Sequence, residues 1–276
     1  MSEKIELFEE KLLLKNLSDK TISSYIGVIK VVALRLNKHY DDIDETDLRK
    51  YIVSRKRRNI SSSSQMSIIN SFKAYYREVK GRKFDHDILP RPKIEQKQPD
   101  ILSTEEMQTM MDVTINLKHR TVIALMYACA LRVSEAINVK INDIDSKNSK
   151  INIRNSKGKI DRIVMLDDSL LSLIREYWKV YRVSSYLFEG ATGNHYSVTS
   201  IQNIVKSSAK KAGINKRISS HSLRHSCLTQ LIKNGVDLRR VQKIAGHKNI
   251  NTTANYIKII DSDILETESP VKAIRL

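Results

Sequence analysis

The sequence predicts a mainly α-helical protein in two parts: a four-helix N-terminal module, then a larger helical domain carrying a small antiparallel sheet. Three observations lead there. Apolar residues recur at helical spacing through much of the 276 residues. Three of the four prolines, Pro90, Pro92 and Pro99, fall within ten residues in LPRPKIEQKQPD, where no periodic pattern survives. Alternating apolar residues flank the segment NSKGK, which reads as a hairpin tip. The expected boundaries are a helical module over residues 1–88, a linker over 89–102 and a second domain over 103–276.

Each element has its own signal. Leu7, Phe8 and Leu12 form the opening stripe. Ile22, Tyr25, Ile26, Ile29, Val32, Ala33 and Leu36 follow a 3.6-residue period behind a cap at Ser18 or Asp19. Thr46 is expected to cap a short helix carrying Leu48, Tyr51 and Ile52, and Ser63 or Ser64 to start one carrying Ile68, Phe72, Tyr75 and Val79. The second domain opens on a capping box, Ser103 to Glu106, and continues through an apolar helix around Val122 to Ala130. In the hairpin, Ile151 and Ile153 alternate before the tip, and Ile163 and Met165 alternate after it. Helices are expected at roughly 168–182, 198–212, 221–233 and 237–245, the last three closed by Gly213, Gly235 and Gly246.

Charge narrows the function classes. Lys and Arg number 48 against 31 Asp and Glu, a net charge of +17. Residues 1–48 hold 7 basic and 10 acidic side chains, whereas residues 49–93 hold 13 and 3. A basic stretch after an acidic start suits a phosphate-bearing polymer. Aromatics make up only 6%, which disfavours a stacking platform for single strands and favours duplex DNA. The candidate contacts are Arg55, Lys56, Arg57 and Arg58 at one helix end, followed by Lys73, Arg77 and Lys80. The competing reading of the first four is a solvated helix terminus favoured by the helix dipole. The longest apolar run, Val122 to Leu131, is half the roughly 20 residues of a spanning helix, and the N-terminus has no leader-like apolar core. Two cysteines without a CxxC exclude a disulfide framework and a cysteine zinc site. No membrane partner and a cytoplasmic location are expected.

The chemistry concentrates late in the chain. In His221-Ser-Leu-Arg224-His225, three side chains share one helix face. A zinc pair at His221 and His225 lacks a third ligand and the glutamate of a metalloprotease helix. The histidines as satisfied core groups remain open, and so does a phosphate clamp in which Arg224 offers a two-pronged fork and His221 a hydrogen bond or proton transfer.

The surroundings favour the clamp. HSLRHS is followed by Gly246-His247 and, nine residues on, by Tyr256; upstream stand ALRVSEA with Arg132 and the tip SKGK with Lys157. This ordered set resembles the tyrosine recombinase (phage integrase) family across the whole chain, and among its members the Xer-type enzymes, including archaeal ones that act alone. Two departures occur: Ala130 stands where glycine is common, and Ser156 precedes Lys157 where glycine is common.

The resemblance implies a SAM-like core-binding domain and a catalytic domain that together clamp duplex DNA in a C shape. It implies Arg132 and Arg224 on the scissile phosphate, Tyr256 as nucleophile in a 3′-phosphotyrosyl intermediate, and His221 as the candidate base. His247 would bind the phosphate or the leaving oxygen, and Lys157, in preference to Lys159, would be the general acid. Glu135 would orient Arg132 or cap its helix, and His225 would pack behind the site. No metal or nucleotide cofactor is implied. The implied partners are DNA with inverted binding arms and three further copies of the chain, through a C-terminal segment around Ile259, Ile260, Ile264 and Leu265. No arm-binding domain is expected before residue 1, which fits resolution of chromosome or plasmid dimers better than a large phage integrase. Mobile-element integration, type IB topoisomerase-like relaxation and a DNA-binding regulator without catalysis are the alternatives.

Overall fold

The computed structural model describes residues 3–93, 98–154, 161–190 and 193–257. The chain divides into two compact units, Met1–Lys97 and Gln98–Leu276. The division falls inside the proline-marked linker. No described helix is long and apolar enough to cross a membrane.

The first unit holds α1 (Glu3–Leu14), α2 (Asp19–Leu36), α3 (Glu45–Lys56) and α4 (Ser62–Tyr75), the last running into a π turn at Tyr76–Lys80. Ser18 caps α2 by accepting from the Thr21 amide. Asp44, not Thr46, caps α3, because Asp44 and Asp47 satisfy each other's backbone amides in a reciprocal box. Ser61 caps α4, two residues before the expected start. Phe8, Ile29, Ile43, Leu48, Ile69, Phe72, Tyr75 and Tyr76 form the core. The Tyr76 hydroxyl donates to the Ile43 carbonyl at 2.6 Å, so the buried ring brings no unsatisfied polar atom.

The basic residues of this unit separate into two groups. Arg55, Lys56, Arg57 and Arg58 are exposed at and just beyond the end of α3. Lys80 is the more restrained: its ammonium lies over the Tyr76 ring and donates to the Asp41 and Ile43 carbonyls. Arg77 keeps an exposed side chain but pairs with Glu78, and Lys73 lies 3.4 Å from His86 Nε2.

The second unit contains α5 (Thr104–Asp112), α6 (Leu117–Ala128) and α7 (Val133–Ala136). A three-stranded antiparallel sheet follows, in the order β1 (Ile144–Asp145), β2 (Lys150–Ile153), β3 (Arg162–Met165). Then come α8 (Asp168–Tyr181), α9 (Val198–Lys211), α10 (Ser220–Lys233), α11 (Leu238–Ala245) and α12 (Ile250–Ala254). The apolar helix α6 lies at the centre, with Val122, Ile123, Leu125 and Met126 fully buried among residues of α5, α8 and α9.

The alternating isoleucines and methionine occupy the inward face on only one of the two strands. Ile151 and Ile153 point inward, but on β3 Arg162 and Val164 are buried while Ile163 and Met165 are exposed, at 59% and 75%. Register decides this: Ile151 pairs with Val164 and Ile153 with Arg162, so those residues share the inward face. An inward arginine is tolerated because a buried carboxylate meets it. The hairpin tip with Lys157 and Lys159, and the segment with Ile259, Ile260, Ile264 and Leu265, lie outside the described residues.

The register has a direct test. Ile163→Lys should leave stability within about 0.5 kcal/mol of wild type, whereas Val164→Lys should cost several kcal/mol by burying an unpaired ammonium. Urea unfolding of the two variants measures both, and equal losses would contradict the assigned faces.

Candidate active site

Arg132 is the N-cap of α7, and Glu135, one turn later, receives both its backbone amide and its guanidinium, each at 2.8 Å. Glu135 is 3% exposed and also takes a two-pronged pair from Arg162 on β3, both contacts at 2.8 Å. Arg224 on α10 lies with its Nη1 3.8 Å from the same carboxylate. Burial alone would raise the Glu135 pKa, but the Arg162 hydrogen bonds and the charges of Arg162 and Arg132 outweigh it and hold the group at about 2. Three guanidiniums from three segments thus share one carboxylate.

Arg224 is 3% exposed, and backbone carbonyls complete its shell. Nη1 donates to the Ala130 carbonyl at 2.6 Å and Nη2 to the Ala245 carbonyl. The Arg162 Nε donates to the Ile244 carbonyl at 2.8 Å. Ile244 and Ala245 end α11, where carbonyls lack intrahelical donors and the dipole favours cations. Gly246 closes that helix in the left-handed region, at φ 62°, and a Cβ there would sit 3.1 Å from the Arg162 Cδ. Both its conformation and its lack of a side chain serve the two arginines. Ala130 is also left-handed, at φ 47°, which explains the advantage of glycine there; alanine carries a cost of about 1 kcal/mol.

His247 follows Gly246. Its Nε2 lies 3.1 Å from Arg224 Nη2, and its Nδ1 lies 3.0 Å from Thr253 Oγ1. A guanidinium can only donate, so Nε2 is the bare nitrogen and Nδ1 carries the proton toward Thr253. Burial and the Arg224 and Arg132 charges push its pKa down to about 4.

Tyr256, just past α12, is 5% exposed, its ring packed with Ala130, Cys227, Leu228, Val241 and Ala245. The ring lies parallel to that of His247, with centroids 6.2 Å apart. The hydroxyl is not free: it sits 2.8 Å from Nδ1 of His225. Burial raises the phenol pKa, against an opposing pull from Arg224 and Arg132. His225 is pushed down to about 4 by burial, His221 and Arg224, so it is neutral at pH 7. His221 lies in the first turn of α10, exposed, with its ring centroid 6.5 Å from that of His225.

The structure therefore gathers Arg132, Arg224, His247 and Tyr256 around a buried charge cluster, with His221 at its edge. Lys157 lies outside the described residues. Sequence reasoning passed over Arg162 altogether and placed His225 in the packing. The signal for Arg162 was its inward register opposite Ile153; the signal for His225 was its shared face with His221 and Arg224. Among the described residues no group of acids, histidines and cysteines could hold a metal ion.

Acid titration should expose this electrostatic arrangement. His225 and His247, near 6.5 when unfolded, take up protons in the unfolded chain first, so their stability contribution is complete above about pH 6.5 and lost as pH falls toward 4. Glu135 adds a second loss from its unfolded value of about 4.3 down toward 2. Urea midpoints at about pH 7.5, 5.5 and 4.5 should fall in that order, and His247→Gln should flatten the upper part. A flat wild-type profile would contradict buried neutral histidines.

Comparison with known proteins places this geometry. Residues 100–262 match the phage integrase family, and residues 5–86 match the phage integrase N-terminal SAM-like domain. The chain is 31% identical over 271 residues to a putative integrase/recombinase of Sinorhizobium fredii, covering 96% of this chain and 87% of that protein. It is 32% identical over 232 residues to the tyrosine recombinase XerA of Pyrococcus horikoshii, covering 83% and 80%. The Tn1549 transposon integrase, solved in complex with transposon right-end DNA, shares the fold with a TM-score of 0.72 at 17% identity, over 96% and 99% of the two chains.

Proposed function

The chain belongs to the phage integrase family and is a site-specific tyrosine recombinase that cleaves and rejoins DNA, and from that premise we propose which residues act and in what setting. The observation that carries the assignment is the meeting of Tyr256 and Arg224: His247 hydrogen-bonds the guanidinium and lies parallel to the phenol ring.

Arg132 and Arg224 hold the non-bridging oxygens of the scissile phosphate and stabilise the added charge of the pentacoordinate transition state. Tyr256 Oη attacks phosphorus in line, leaving a 3′-phosphotyrosyl link and a 5′ oxygen that Lys157 protonates. His247 turns from Arg224 to the phosphate, and His221, at the exposed edge, contacts the phosphate too. The new ester keeps the energy of the old one, so a 5′-hydroxyl reverses the step without a nucleotide cofactor. Duplex DNA is the partner. Arg55, Lys56, Arg57 and Arg58 contact its backbone, and Lys73, Arg77 and Lys80 are the further candidate contacts. Four copies on two sites with inverted arms exchange strands in the cytoplasm, and the similarity to XerA supports resolution of chromosome or plasmid dimers.

Tyr256→Phe should fold and bind DNA as wild type does, because the ring remains, yet form no covalent complex. Mass spectrometry of the wild-type adduct on a nicked duplex should place the nucleotide on the peptide containing Asn255-Tyr256-Ile257. An adduct on another tyrosine, or one persisting in Tyr256→Phe, would defeat the assignment.

Neutralising Arg55, Arg57 and Arg58 together should weaken binding to every sequence and lower the log–log salt slope by about 0.9 for each lost phosphate contact. Titrations of the triple variant at several salt concentrations measure this, and an unchanged slope would leave the cluster as a solvated helix end.

A further inference from the structure

As the bond to phosphorus forms, the proton on Tyr256 Oη must go to an acceptor within hydrogen-bond reach. We propose that His225, rather than His221, is the general base, receiving the phenolic proton on Nδ1. This rests on the recombinase reading above and assigns a role that motif comparison places elsewhere.

Geometry eliminates the rivals in turn. His225 Nδ1 lies 2.8 Å from Oη. His247 has Nδ1 turned to Thr253 and Nε2 to Arg224, or to the phosphate in the reaction proposed above, so neither nitrogen faces Oη. Arg224 and Arg132 stay charged and have no lone pair to offer. His221 is exposed one helical turn before His225; its ring lies 6.5 Å from that of His225, whose own ring lies 5.4 Å from the phenol.

The groups facing His225 make its basicity depend on substrate. His221 and Arg224 on its own helix lower its pKa together with burial, and Tyr256 and His247 reach it from the segment after α11. A phosphodiester seated on Arg224 and Arg132 brings a negative charge that offsets those cations, and the imidazole gains proton affinity as the phenol begins to lose its proton. The step balances. The Oη–H bond breaks and its proton passes to Nδ1, while an Oη lone pair forms the new P–O bond. The bond from phosphorus to the 5′ oxygen breaks, and that oxygen takes a proton from Lys157. In rejoining, the imidazolium returns the proton to the departing tyrosine.

Two measurements on the full chain test this. Nitrogen-15 NMR of the wild-type protein should show His225 neutral, with Nδ1 bare and Nε2 protonated; a proton on Nδ1 would overturn the proposal without any variant. The second measurement is single-turnover formation of covalent complex on a nicked duplex built from a binding site selected out of random DNA. His225→Asn offers an oxygen near the place of Nδ1 but cannot carry the proton away. It should bind DNA normally and cleave about 100-fold more slowly, with a rate rising about tenfold per pH unit as phenolate forms. Replacing Tyr256 by a more acidic difluorotyrosine should restore much of that rate, which a purely structural defect would not allow. Cleavage by His225→Asn within about threefold of wild type, with an unchanged pH profile, would overturn the assignment. So would fluorotyrosine rescue of His221→Asn in its place. Absence of any adduct in wild type would instead defeat the recombinase chemistry itself, so the two failures are distinguishable.

Discussion

The catalytic unit is organised by the burial of one carboxylate among three guanidiniums. Glu135 takes a two-pronged pair from Arg162, holds Arg132 through backbone and side chain, and lies within 3.8 Å of Arg224. A buried ion pair adds little net stability when complete, but loss of one partner leaves an uncompensated charge at a cost of roughly 3–5 kcal/mol. That asymmetry makes the cluster rigid. Arg162 joins the hairpin to the end of α11, and Arg224 joins α10 to the turn after α6 and to α11. The segments bearing the phosphate-binding groups are therefore fixed to one another by charge and by helix-end carbonyls.

The cluster is also incomplete in charge. Three cations face one anion, and carbonyl dipoles supply part of the difference. In the mechanism proposed above a phosphodiester would bring a further negative charge to this place, and a phosphorane one more still. A site preorganised with excess positive potential favours the state of greatest negative charge, which is the transition state. Burial first, and then the same potential, holds the neighbouring histidines neutral near pH 7.

Much of this was legible in the sequence, and the gaps have physical causes. Long helices such as α2 and α8 follow apolar period and caps, and glycine closures mark α9, α10 and α11. The ordered motif singled out Arg132, Arg224, His247 and Tyr256, which the structure brings together. Caps were misplaced where several polar residues compete, as at Asp44 and Thr46, because reciprocal side-chain geometry decides between them. The β3 face could not be read from Arg162-Ile163-Val164-Met165, which puts an apolar residue on each face and in which a lone arginine suggests a solvent-facing side. Only Glu135, 27 positions earlier, makes the opposite register favourable. The contact of His225 with the phenol joins residues 31 apart, and it depends on how the segment after α12 turns back onto α10.

Tyr256 has two duties that evolution can separate. Its hydroxyl is the proposed nucleophile, but its ring fills a small core with Cys227, Leu228, Val241 and Ala245. Loss of the ring would open a cavity there, at a cost on the order of 3–5 kcal/mol for an aromatic side chain. A lineage released from selection for strand cleavage would still need that volume filled. Decayed copies of such a gene that persist as folded DNA-binding proteins should therefore keep an aromatic residue at this position after the oxygen has gone. The difference between a living and a silenced recombinase can then be one atom.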